Sequence, residues 1–175
     1  MFVPGWLISL VTFPGVIVHE IAHQFFCKLA KVAVLDVKYF QLSNPVGYVI
    51  HETPQKTSQH LLIGLGPLFV NTIAGALIAF PAILPTFTFG RSNPIDIILI
   101  WIGFSIAMHS FPSTGDAKSL WAAVMRPGIN VVYKIITVPI VGLLYLGAIG
   151  SAFWLDAVYG IGVIMALPMV LYAIQ

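Results

Sequence analysis

Charge is what this chain lacks most. Only 8% of its 175 residues are Asp, Glu, Lys or Arg, whereas a globular surface in water needs about a quarter. That scarcity excludes an ordinary soluble domain, and disorder and coiled coil with it. Cysteine is nearly absent too. Cys27 stands alone, which excludes a disulfide framework and a multi-cysteine metal cluster. No basic block is present either. A net charge of +2, from 8 Lys plus Arg against 6 Asp plus Glu, is too little to neutralise many phosphates, so nucleic-acid binding is excluded. Apolar residues fill the chain instead, at 59% hydrophobic with a mean hydropathy of +0.98. The expectation is an all-α polytopic membrane protein.

A bilayer core of about 30 Å takes about 20 apolar residues as helix. Five stretches approach this, at residues 2–26, 61–84, 95–111, 131–149 and 157–174. The last two abut at 150–156 and predict a tight helical hairpin. The first is too long for a cleaved leader, lacks a charged start and carries ionisable residues, so it reads as a retained span. If five spans alternate, Lys28, Lys31, Lys38, Lys56, Lys118, Arg126 and Lys134 share one side and Arg91 takes the other. The positive-inside rule makes the first side cytoplasmic. The N-terminus is then outside and the C-terminus inside, with a prokaryotic plasma membrane as the expected location. Residues 1–130 form the three-helix core, and 131–175 add two helices to the same domain. Between spans one and two, residues 32–54 are β-branched and aromatic around Ser43-Asn44-Pro45-Val46-Gly47, which predicts a β-hairpin.

The chemistry concentrates in His19-Glu20-Ile21-Ala22-His23, an HExxH motif late in the first apolar stretch. Residues i and i+4 share a helix face, so both imidazoles can reach one tetrahedral ion. Glu20 lies beside that site without occupying it, where it can take a proton from an activated water and pass it on. With 5 His in the chain, the pattern is expected by chance roughly 0.002 times. Ionisable groups at membrane depth are expensive and mark functional sites.

A catalytic zinc site needs a third protein ligand and an open position. Asp96 and Asp156 fall on the outer side in the five-span arrangement and read as remote. His51, Glu52 and His60 belong to the connector or the start of span two. His109 and Asp116 remain, in the segment from Met108 to Lys118 that Pro112 and Gly115 should break. Asp116 is favoured, brought in by the break and placed as N-cap of a following helix. His109 is the alternative.

These residues carry a resemblance. HEIAH in a membrane helix, Gly66-Pro67-Leu68-Phe69-Val70-Asn71 in the next, and a Pro-then-Gly-Asp element ending the third resemble the site-2 protease family of intramembrane zinc metalloproteases, over about residues 13–120. The resemblance implies that His19, His23 and Asp116 bind Zn²⁺, that Glu20 is the catalytic base, and that the centre is reached from the cytoplasm. Two departures stand out: His109 occupies an Asn-like place, and Asp116-Ala117 replaces Asp-Gly. His109 or Asn71 could then steady an oxyanion or position substrate, and Asn71 could instead bond a neighbouring helix.

The expected activity is hydrolysis of peptide bonds in transmembrane or membrane-proximal segments of protein substrates. Such a segment hides its carbonyls in its own helix and must unwind locally. The hairpin could receive it by β-augmentation. A metal or proton transporter would spread ionisable residues towards both faces, and a non-catalytic scaffold would lack a ligand or Glu20. Neither pattern is seen in the sequence.

Overall fold

The computed structural model describes residues 4–173, which are mostly helical with one small sheet. Seven α-helices are present among the described residues: α1 (Gly5–Val11), α2 (Phe13–Leu29), α3 (Thr57–Ile83), α4 (Pro94–Met108), α5 (Thr114–Met125), α6 (Val131–Gly150) and α7 (Leu155–Ala173). A π-helical turn, Leu84–Thr88, prolongs α3. The expected hairpin forms. Strands β1 (Val34–Lys38) and β2 (Tyr48–His51) pair antiparallel, with Val37 opposite Val49. The Tyr48 hydroxyl donates to Asp36 at 2.7 Å and holds that carboxyl below its usual range.

The spans differ from the five expected. Among the described residues, three helices are long and apolar enough to cross a bilayer, Thr57–Phe87, Val131–Phe153 and Leu155–Ala173; a fourth counts only if α1 and α2 are taken together. Those two meet at 94°. The cause is Pro14 in the first turn of α2: it has no N–H to give, and its ring would clash with the carbonyl four residues back. Helix α1 therefore ends at Thr12, whose N–H and hydroxyl both bond the Ile8 carbonyl at 2.8 Å. The third expected span is also too short. Its 15 residues cover about 22 Å at 1.5 Å per residue, against about 30 Å of hydrocarbon. Asn93 caps its start and Pro112 prevents its continuation.

Helix α3 is the axis of the bundle. Helix α4 runs against it where Gly75 meets Gly103, so closely that a Cβ on Gly75 would stand 2.7 Å from the Gly103 carbonyl oxygen. Helix α2 approaches α4 as tightly at Gly15, where any Cβ would collide with the Ser105 carbonyl. Small residues permit this contact in apolar surroundings, where packing replaces the hydrophobic drive.

The predicted pairing of the last two helices does not form. Helix α6 packs along α5 through Leu120, Val124, Val141 and Leu144. Helix α7 packs on α3 and α4 through Ala79, Ile83, Ala107 and Ile164. They meet at their joint, where Leu155 lies on Gly150 and Trp154 adopts the left-handed conformation, φ 65°. Tyr159 is level with Thr72, and Ile164 with Ala79 and Ile83, so α7 runs in the direction of α3. The described C-terminal end thus lies towards Arg91, not at the Lys-rich end that five alternating spans require.

Candidate metal centre

Helix α2 stacks His19 and His23 one turn apart, with Nε2 atoms 3.1 Å from each other. The Asp116 Oδ2 lies 3.5 Å from the His23 Nε2. One ligand atom from each of the three residues falls within 4.8 Å of the others. Zinc bonds of 2.0–2.1 Å in a tetrahedron require donor–donor edges of about 3.3 Å. The two measured edges bracket that value, and both histidines are buried.

The rings are also held in the tautomer that a cation needs. Ligating histidines nearly always give their second N–H to a fixed acceptor. The His19 Nδ1 lies 2.7 Å from the His109 carbonyl oxygen, which leaves Nε2 as the free donor atom. The Ile63 carbonyl acts on the His23 ring as a backbone acceptor. Both carbonyls are available because a helix is interrupted nearby. His109 is the C-cap of α4, whose ladder stops before Pro112. Ile63 lies one turn before Pro67, inside α3, and Pro67 has no N–H with which to take that carbonyl. The donor set and its supports therefore fit a zinc ion.

Asp116 reaches the site on α5, but not as the N-cap expected of it. Ser113 is the cap, accepting from the Asp116 N–H at 3.1 Å, and Asp116 is the third helical residue. Its Oδ2 accepts from the Ser113 hydroxyl at 2.6 Å and from the Ser113 N–H at 3.2 Å. This capping box aims one carboxylate oxygen at His23.

His109 and Asn71, the two residues read as possible oxyanion donors, stand behind His19. The His109 Nε2 lies 2.8 Å from the Thr12 hydroxyl at the α1–α2 break, so its backbone and not its ring meets the triad. The buried Asn71 Nδ2 donates to that same His109 carbonyl at 3.0 Å and to the Gly15 carbonyl at 3.3 Å. Asn71 thereby joins α3 to α2 and to the end of α4.

Two cavities flank the triad. The larger, about 480 Å³, is lined by His19 and Glu20 together with Trp6, Asn44, Pro112 and Asp156. The hairpin turn borders it, and Gly47 rests on α2 so closely that a Cβ there would stand 3.0 Å from the Glu20 Cγ. Asp156, read from sequence as remote, is thus brought to the cavity that holds Glu20. Asp96 is indeed distant, spent on the cap of α4. The smaller cavity, about 20 Å³, touches His23 and Asp116 and is lined also by His51, Pro54, His60 and Ser119. No protein-family model, curated protein or solved structure matches this chain.

Proposed function

We propose that the chain is an intramembrane zinc metalloendopeptidase of the site-2 protease type, acting on transmembrane or membrane-proximal segments of other proteins. One observation carries the reading. Two imidazoles from one helix and a carboxylate from another bring one ligand atom each to within 4.8 Å of the others, with Glu20 lining a cavity of about 480 Å³ beside them. His19, His23 and Asp116 would hold the ion. A bound zinc ion would polarise the scissile carbonyl and bring the pKa of water down to about 7. Glu20 then accepts the water's proton on its carboxylate and delivers it to the departing amine nitrogen. Burial of Glu20 keeps that proton transfer out of bulk solvent. The cavity receives the substrate as an unwound strand, and the free edges of the hairpin supply backbone partners for the groups that unwinding exposes.

The Lys-rich end of the bundle is assigned to the cytoplasm by the positive-inside rule, with Lys28, Lys56 and Arg126 at helix ends there. The deciding experiment uses purified full-length protein and a membrane-protein substrate. Glu20→Gln is expected to bind one zinc per chain, as the parent does, and to lose cleavage by at least about 10²-fold. Full cleavage by the variant, or a parent chain that holds no zinc after reconstitution, would refute the reading.

A further inference from the structure

We infer that His60 is a positioning residue of the metal centre, acting on Asp116 through one ordered water in the small cavity; this rests on the zinc site proposed above. His60 is buried in the first turns of α3, and its Nε2 has no hydrogen-bond partner. With the ring's other N–H turned to the Pro54 carbonyl, Nε2 presents a lone pair. The cavity it lines is also lined by Asp116 and His23, with Ser119 at the rim and Ile63, Gly64 and Leu120 as its apolar wall. It is His23, not His60, that stands at ion-pair distance from Asp116.

Hydrogen-bond counting then selects the occupant. The Asp116 Oδ2 is engaged by Ser113 and His23, and among the described residues no hydrogen bond reaches Oδ1. An ionised carboxylate only accepts, as does a neutral imidazole on its unprotonated side. Both residues line one cavity, and a molecule that links two acceptors must donate twice. The lining offers no Lys or Arg to do so. Water does: one O–H goes to the His60 Nε2, the other to the Asp116 carboxylate, and its lone pair takes the Ser119 hydroxyl. Three partners are usual for a buried water, and about 10–15 Å³ of such volume suffices to hold one. The cavity, at about 20 Å³, has room for one. The water pins the carboxylate's second oxygen, which fixes the direction in which Oδ2 points at the ion.

The test uses the full chain in detergent, with zinc affinity read by competition against a chromophoric chelator and site geometry read from the visible spectrum of the Co²⁺-loaded protein. His60→Leu removes the acceptor and is expected to weaken zinc binding by about 10- to 100-fold, with a changed cobalt spectrum. His60→Gln keeps an acceptor oxygen and is expected to recover most of both. Ser119→Ala, at an exposed position, is expected to cost a few-fold and serves if His60→Leu does not fold. Parent-like affinity and spectra in all three variants would overturn the inference, as would equal losses in the Leu and Gln variants. A parent chain without zinc would instead overturn the metal site itself.

Discussion

Replacing Pro67 by Ala should make the protein a poorer zinc binder without making it less stable. The new N–H at position 67 completes the α3 ladder by taking the Ile63 carbonyl, and His23 then loses the acceptor that fixes its ring. Loss of such an outer partner typically costs 10- to 100-fold in metal affinity, or about 1.4 to 2.7 kcal/mol. Helix stability moves the other way. An interior Pro disfavours a helix by about 3 kcal/mol relative to Ala. Pro67 is fully buried, so its removal forfeits the packing of two ring carbons, about 1.6 kcal/mol. The balance is a stabilisation of about 1 kcal/mol in the metal-free state. Chelator competition and thermal unfolding of the apoprotein, both in the same detergent, read the two effects separately. Unchanged zinc affinity beside an unchanged or raised melting temperature would refute the link between the Pro67 break and the His23 ring.

Asp116→Ala should abolish stoichiometric zinc binding, whereas His109→Phe should keep it within about tenfold, because only the His109 backbone meets the triad; metal analysis of both variants separates the two candidate ligands. Gly15→Val should prevent α2 from seating on α4 at Ser105, seen as a loss of folded protein on extraction and not as a selective loss of zinc. Val37→Pro removes a backbone donor from β1 and should lower cleavage of a membrane substrate while zinc content stays at one per chain; equal cleavage would argue against strand addition.

The pairing of His19 with His23 is legible because its spacing is covalent. Four residues of helix fix where His23 falls relative to His19, whatever surrounds them. Asp116 was legible by elimination and by Pro112, although its place in the cap was misread by three residues. The hairpin followed from β-branched residues about a turn. Helix lengths were less legible, because hydropathy continues smoothly through Thr12 and Phe13 while the backbone does not; Pro14 was the available signal. Asp156 was assigned to the far side because alternating spans were assumed, and α6 and α7 do not alternate. The acceptors behind the two histidines could not be read at all. They are backbone carbonyls, which every residue carries, and only the interruption of a ladder elsewhere frees them.

Anyone transplanting HEIAH into a scaffold of uninterrupted helices should therefore expect disappointment. The pair of imidazoles would arrive at correct separation, yet every neighbouring C=O would already be claimed by its own coil, and each ring would rotate freely about its last torsion. A successful graft would have to import two flaws with the motif, one proline a turn beyond the second histidine's neighbour and one truncated helix behind the first.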